Sequence, residues 1–280
     1  MAWWPLSEIT VVEELLAFPA RTVLRIQSDE GSFVVKVTGA DPSRDNARAV
    51  LEYLEERDFP HSPRLLRTRT GEGSVLTSNT TVIVMEYLPR PVLDRPRHSR
   101  SSAWADLGSA LSSLNVQTDF ETSFSIPVTA ALDELRRRVR GQSFETPYLR
   151  LLDRLSPLRE QVPDALIHGE ANPANARRRS DNSLVIVDWD QAGMAPKALE
   201  YGYPLITCFI SERDHSVDRE AAIAFYSAYR ERGGVISEDL AFEAGLFHAA
   251  RYMWWEPERR WARIGWALEH EHELRALVVG

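Results

Sequence analysis

The sequence predicts a two-lobed α+β chain, with a small antiparallel-sheet lobe carrying one helix and then a larger, mainly helical lobe. Three observations carry this. Residues 9–37 and 74–88 hold alternating or continuous apolar runs broken by short polar turns, the pattern of strands in hairpins. Residues 89–102, PRPVLDRPRHSRSS, hold three prolines and four arginines and keep no apolar period, which marks a connection. Beyond them, apolar residues recur at helical spacing. The expected boundaries are 1–88 for the first lobe, 89–102 for the link and 103–280 for the second lobe.

The elements follow in order. ITVVEELLA (9–17) fits a strand or a helix. TVLRIQS (22–28) and SFVVKV (32–37) read as strands joined through Asp29, Glu30 and Gly31, a hairpin signal. In DPSRDNARAVLEYLEERDF (41–59), Ala47, Val50, Leu51 and Leu54 share one helical face, and Asp41 or Ser43 is placed to cap it. SVLTSNTTVIVMEYL (74–88) reads as two strands around a polar turn at Asn79. In the second lobe, SAWADLGSALSSLN and VTAALDELRRRVRG are amphipathic helices. A loop and strand pair over 166–191 interrupts them. Three further helical segments follow: SVDREAAIAFYSAYRERGG, capped by Ser216 and ended by Gly233–Gly234, then SEDLAFEAGLFHAARYMWW and PERRWARIGWALEHEHELRALV.

Composition narrows the function. The 280 residues suffice for two lobes with a sizeable core. Hydrophobic residues at 44% and charged residues at 26% are those of an ordinary globular chain, not a disordered or fibrous one. With 41 acids against 33 bases, the net charge of −8 argues against bulk nucleic-acid or anionic-membrane binding. It would attract a cationic small molecule, although many plain proteins are equally acidic. Cys208 is the single cysteine and cannot form an internal disulfide, which fits a reducing cytosol. MAWWPLSEIT lacks the basic start and apolar stretch of a secretory leader, and no apolar run reaches membrane-spanning length. The expectation is a cytoplasmic protein with a small-molecule substrate and no nucleic-acid or membrane partner.

The chemistry concentrates in LIHGEANPAN (166–175) and LVIVDWD (184–190). Asn175 and Asp188 carry the oxygen ligands that a hard divalent cation takes, and each stands at the edge of a strand. Glu170 shares the loop with Asn175. Lys36 stands mid-strand in FVVKV, an odd place for a charge unless it is paired. Phosphoryl transfer from a nucleotide needs Mg²⁺, a group that positions the attacking hydroxyl and a cation on the phosphates.

With these residues the chain resembles the aminoglycoside phosphotransferase and choline kinase group of the protein-kinase-like superfamily. That family's loop reads H-G-D-x-x-x-x-N, followed by a strand ending I-D-[WF]. Here it reads His168-Gly169-Glu170-Ala171-Asn172-Pro173-Ala174-Asn175, then Val187-Asp188-Trp189-Asp190. The order of elements also agrees: lysine strand, helix, hinge strand VIVMEYLP, linker, helical lobe, loop. The resemblance covers nearly the whole chain. It implies a two-lobed protein-kinase-like fold and transfer of the γ-phosphoryl of ATP or GTP to a hydroxyl, with Mg²⁺. An aminoglycoside-like or other amino-alcohol acceptor is the first candidate. Position by position it implies Lys36 on the α/β-phosphates and the backbone of Glu86, Tyr87 and Leu88 against adenine. It further implies Asn175 and Asp188 on Mg²⁺, Glu170 in the place of the catalytic aspartate, and His168 bracing the loop.

The sequence departs from the family at four places. Glu170 replaces aspartate, and its extra methylene moves the carboxylate. Ala47 stands where the lysine-pairing glutamate is expected, with Glu52 and Glu55 about one and two turns further on. The turn between the first two strands, Ala17-Phe18-Pro19-Ala20-Arg21, has no glycine, and offers the phosphates only the Arg21 side chain. Glu200 stands where a structural aspartate is usual. These departures keep two other readings open: a kinase-shaped binding or regulatory protein without phosphoryl transfer, and a different transfer with Glu170 as general base.

Other features read as structure before function. Trp254, Trp255, Trp261 and Trp266 are expected in the core rather than as a stacking wall. His270 and His272 are two apart and face different ways on a helix, and His248 reads as packed or surface. Arg136–Arg140 and Arg177–Arg179 read as solvated faces, the second near enough to the metal loop to draw an anion. Asp214, Asp218, Glu220, Glu238, Asp239 and Glu243 either line a site for an aminated substrate or cover outer helix faces.

Overall fold

The segment that fits strand or helix resolves as strand β1 (Thr10–Phe18). Its register shifts between Val11 and Glu13 and again between Glu14 and Leu16. These bulges at a sheet edge blur the alternation, which is why periodicity alone left the segment open. A computed structural model describes residues 2–18, 20–39, 46–77, 79–91, 101–120, 127–254 and 256–279. The chain forms two compact units: Met1–Val92 with Asn175–Ala192, and Leu93–Ala174 with Gly193–Gly280. The whole is the two-lobed α+β arrangement expected, a small antiparallel-sheet lobe with one helix and a larger helical lobe.

In the first unit, β2 (Arg21–Ser28), β3 (Gly31–Gly39), β4 (Ser74–Leu76) and β5 (Thr80–Glu86) join β1 in a five-stranded sheet of order β1-β2-β3-β5-β4. Asp29 and Glu30 close the β2–β3 hairpin, and Gly31 follows at φ 135°, where a side chain would be strained. Trp4, Leu6, Ile26, Val35 and Val84 form the core, with Phe33 and Val37 packed on it. Side chains alternate along a strand, so Phe33, Val35 and Val37 claim the core face and Lys36 takes the opposite one. Helix α1 (Asn46–Glu56) buries Ala47, Val50, Leu51 and Leu54, the four residues picked out by spacing. The cap candidates Asp41 and Ser43 lie outside the described residues. So do link residues 92–100.

Three short strands complete the sheets of this unit. β6 (Arg90–Pro91) pairs with β8 (Ala176–Arg178), which pairs with β9 (Leu184–Ile186). A 3-10 turn, Trp189–Gln191, then packs on α1, and Asn46 Nδ2 donates to the Ala192 carbonyl at 3.1 Å.

The second unit contains β7 (Ala165–Ile167) paired with β10 (Gly193–Ala195) and eight helices among the described residues. These are α2 (Ser101–Asn115), α3 (Val128–Arg138), α4 (Glu145–Arg154), α5 (Ala198–Thr207), α6 (Arg219–Glu231), α7 (Glu238–Arg251), α8 (Pro257–Glu269) and α9 (Glu271–Val279). Two pairs pack most tightly, α2 on α6 and α5 on α7. The second depends on Gly202. A Cβ there would stand 2.5 Å from the Ala244 Cβ and 2.6 Å from the Ala241 carbonyl oxygen.

Several local expectations change. Helix α6 is capped by Asp218, which accepts the Ala221 N–H at 3.1 Å, and not by Ser216. The Ser216 hydroxyl instead donates to Asp214 at 2.7 Å, and this tight turn leaves Asp218 at the N-cap. Gly233 ends the helix at φ 90°, as expected. The last helical segment is two helices, divided at His270, whose ring stacks on Trp266 at 4.0 Å. Trp254, Trp261 and Trp266 are half-buried rather than core, and Trp255 lies outside the described residues. Trp254 packs against Phe144 and Tyr148 and carries the Arg138 guanidinium 4.4 Å over its ring. No helix of the described residues is long and apolar enough to cross a membrane.

Candidate active site

The candidate residues fall in both units, and each set has its own architecture. In the first unit, the β8–β9 register sets Ala176 opposite Ile186, and the Val187 N–H donates to the Asn175 carbonyl at 2.7 Å. Asn175 and Asp188 therefore stand at the same end of one hairpin. Asp188 occupies the left-handed region at φ 67°, ψ 60°. Aspartate tolerates this better than most residues, yet the conformation costs energy and persists only where neighbours enforce it. The enforcing neighbour is Trp189, buried in the 3-10 turn, whose indole N–H donates to the Ile186 carbonyl at 2.7 Å.

Lys36 is 8% exposed along its side chain and must find a partner. Helix α1 offers none: Ala47 is apolar, Glu52 binds Arg48 at 3.0 Å and Glu55 binds Arg67. The partner is Asp190, which accepts from both Lys36 and Arg21. Asp188 stands 3.9 Å from the Lys36 ammonium and 3.7 Å from the Arg21 guanidinium. Two cations thus face two carboxylates. Crowding by the surrounding protein, which withdraws part of its water, then the neighbouring Asp190 charge, pushes the Asp188 carboxyl above its usual range, and Lys36 and Arg21 pull it back. The two acids differ in access: Asp188 is 42% exposed, Asp190 only 18%. Asp188 therefore has a face left for another ligand. Its carboxylate and the Asn175 amide are the oxygen donors Mg²⁺ accepts, usually in ones or twos with phosphates and water. Among the described residues no group of three or more His, Cys, Asp or Glu could hold a metal.

Arg21 opens β2 and pairs with Phe18 at the end of β1. The Phe18 side chain and Pro19 lie outside the described residues. At the hinge, the Glu86 and Tyr87 N–H groups donate to the Arg64 and Ser32 carbonyls at 3.0 and 3.3 Å. The Glu86 carboxylate holds Arg179 at 2.6 Å. Arg179 also donates to the Pro60 and Ser62 carbonyls, so it is a structural clamp and not part of a solvated face. Its donors are matched by acceptors on two segments, residues 60–62 and Glu86, which no reading of an arginine run discloses.

In the second unit, β7 delivers the loop that begins at His168, which is fully buried. The His168 N–H donates to the Glu200 carboxylate, and so does the Gly169 N–H at 3.3 Å. The Glu170 N–H donates to the His168 ring at 3.3 Å. Asn172 donates to the Glu170 carbonyl and to the Tyr203 hydroxyl, at 3.0 and 3.3 Å. The loop backbone is thus pinned from α5 by Glu200 and Tyr203. The Glu170 side chain is held from the other helix of the pair: the Tyr252 hydroxyl, just past α7, donates to its carboxylate. Arg251 lies close enough for its charge to interact with Glu170. Neither Asp190 nor Tyr252 was assigned from sequence. Asp190 had a signal, an acid two residues beyond Asp188; Tyr252 had none. The acids once open to a substrate role are mostly engaged: Glu243 binds Arg154 and Arg275, Asp239 binds Arg275, and Asp214 and Asp218 shape the α6 entry.

Glu200 and His248 give this unit opposing pH responses. Burial raises the Glu200 carboxyl to about 7, although two N–H groups favour its ionised form. Burial, then the Arg251 charge, lowers His248 to about 3. Its Nε2–H donates to the Leu199 carbonyl at 3.0 Å, which favours the charged ring but is outweighed by burial. Native Glu200 keeps a proton that the unfolded carboxyl releases near 4.5, so its contribution to stability falls as pH rises from about 4.5 to about 7. Native His248 refuses a proton that the unfolded ring takes up near 6.5, so its contribution falls as pH drops from about 6.5 to about 3. Urea midpoints across pH should show the advantage of wild type over Glu200→Gln shrinking towards pH 7, and its advantage over His248→Gln shrinking towards pH 3. A difference independent of pH would remove either assignment.

The lysine strand, the hinge, the His168–Asn175 loop and the strand ending at Asp188 define the two-lobed protein-kinase-like class, in its aminoglycoside phosphotransferase and choline kinase branch. The model of the phosphotransferase enzyme family matches residues 17–246, and the chain belongs to that family. No curated protein matches the sequence significantly. Among solved structures, spectinomycin phosphotransferase in complex with ADP and spectinomycin is 13% identical at a TM-score of 0.63, over 98% of this chain and 89% of that one. An aminoglycoside-3'-phosphotransferase of type VIII is 23% identical at 0.60, over 89% and 95%. A choline/ethanolamine kinase family protein from Mesorhizobium loti is 17% identical at 0.59, over 96% and 84%. At these identities the likeness is one of fold.

Proposed function

We propose that this chain transfers the γ-phosphoryl group of ATP or GTP to a hydroxyl of a small polar acceptor. The observation that supports the reading is the Lys36–Asp190 pair with Asp188 3.9 Å from the same amine, at the hairpin end where the Asn175 backbone also stands. Mg²⁺ held by Asn175 and Asp188 would neutralise charge on the phosphates. Lys36 would contact the α/β-phosphates, and Arg21 would supply by side chain what the glycine-free turn cannot supply by backbone. The backbone of Glu86, Tyr87 and Leu88 would meet the nucleobase. Glu170 would orient the acceptor hydroxyl for in-line attack, and His168, held within the loop, would have no reactive role. The acceptor class that fits the family is an amino alcohol, an aminoglycoside-like compound first.

A second reading has one observation in its favour. Asp190 already neutralises Lys36 and Arg21, as would suit a kinase-shaped binding protein that no longer transfers phosphate. A melting experiment with millimolar ATP and Mg²⁺, paired with a turnover assay on hydroxylated amines, separates the two. Phosphoryl transfer predicts a rise of a few degrees, since a ligand of the native state stabilises it, together with phosphorylated product. A rise without product favours the binding protein. No rise with either ATP or GTP counts against both.

A further inference from the structure

From the contact between the Tyr252 hydroxyl and the Glu170 carboxylate, we infer that Tyr252 is a positioning residue for Glu170 and the reason a glutamate works at this place. The inference rests on the phosphotransferase reading and deepens it. A glutamate has one more rotatable bond than an aspartate and reaches about 1.5 Å further. Freely rotating, it would sample many carboxylate positions, and a misplacement of about 1 Å can cost on the order of a hundredfold in rate. The second unit removes this freedom. The Glu170 N–H is tied to His168 and its carbonyl to Asn172, so the backbone is fixed. The Tyr252 hydroxyl takes one carboxylate oxygen and fixes the side chain. A carboxylate held in one orientation directs its lone pairs to fixed places, which is what aligning an acceptor hydroxyl requires.

The supports of this contact are rigid. Tyr252 caps α7, and its N–H bonds back to the His248 carbonyl at 3.2 Å. Helix α7 packs against α5 at the glycine contact of Gly202, and α5 carries Glu200 and Tyr203 under the same loop. One helix pair therefore holds the loop backbone from α5 and the Glu170 carboxylate from the end of α7. An aspartate at 170 would fall short of Tyr252 and leave its hydroxyl without this acceptor. Glutamate and tyrosine form a matched pair, and neither substitution alone restores the arrangement.

The test is a double-mutant cycle on kcat with Tyr252→Phe and Glu170→Asp, run with ATP, Mg²⁺ and a hydroxylated amine that the wild type phosphorylates. Tyr252→Phe removes a single oxygen and keeps the ring. It should lower kcat about ten- to a hundredfold beside Glu170, leave KM for the nucleotide within about twofold, and change kcat less than about twofold beside an aspartate. Glu170→Asp alone should lose activity, not gain it. Equal losses from Tyr252→Phe in both backgrounds, or no loss in either, would overturn the positioning role and leave the phosphotransferase reading standing. A wild type that transfers phosphate to no acceptor while it binds nucleotide would overturn both.

Discussion

Asp188→Asn is expected to cut phosphoryl transfer about a thousandfold and leave the fold intact, the scale seen when one electrostatic group is removed from a reaction centre. Three facts support the separation of activity from stability. Asparagine tolerates the left-handed conformation that position 188 adopts, so the turn survives. Lys36 and Arg21 keep Asp190 as partner, so no buried cation is stranded. The carboxylate that disappears is the one whose charge was already disfavoured by its partial loss of water and by Asp190. The substitution therefore removes an anion from the proposed cation site without opening a hole. Initial rates at saturating Mg²⁺, with melting temperatures alongside, check it. Activity within tenfold of wild type would take Asp188 out of the metal role.

Gly202→Ala should produce the largest loss of stability. Its new methyl would stand 2.6 Å from the Ala241 carbonyl oxygen and 2.5 Å from the Ala244 Cβ, and neither neighbour is the end of a flexible side chain. The helices α5 and α7 must separate. Overpacking a tight core typically costs about 1–3 kcal/mol, and backbone contacts put this case at the upper end. For a chain of this size that corresponds to a melting point lower by roughly 6–12 °C. Activity should fall with it even below the melting point, since the two separated helices are those that hold the loop backbone and the Glu170 side chain. Gly265→Ala in α8 is the control. Among the described residues nothing beyond its own helix lies within 4 Å of its would-be Cβ, and alanine suits a helix better than glycine, so the protein should melt at the same or a slightly higher temperature. Equal behaviour of the two variants would show that the close approach of α5 and α7 is not needed.

The legible parts of this molecule were the local ones. Hairpins β2–β3 and β4–β5, the buried face of α1 and the glycine end of α6 follow from periodicity and turn chemistry within a few residues. The ends of the lysine strand and of the His168–Asn175 loop were equally plain, because their spacing is fixed by the chain itself. What escaped was settled at long range. Lys36 and Asp190 are 154 positions apart, and their meeting depends on which face of β3 is buried and on the hairpin that carries Asp188. Tyr252 and Glu170 are 82 apart and meet because two helices touch at a glycine. The cap of α6 failed for a different reason. Ser216 and Asp218 are both good capping residues, and the turn built by Asp214 decided between them.

The double hold of Asp190 on Lys36 and Arg21 has an electrostatic consequence. With their charge quenched from within, these cations have little need of chloride or phosphate from the buffer. If a triphosphate enters, it displaces an anion that is already part of the polypeptide, and few small ions are released to the surroundings. Dissolved salt then has slight leverage on the exchange, and the aspartate remains tethered nearby to reclaim both cations when the nucleotide leaves.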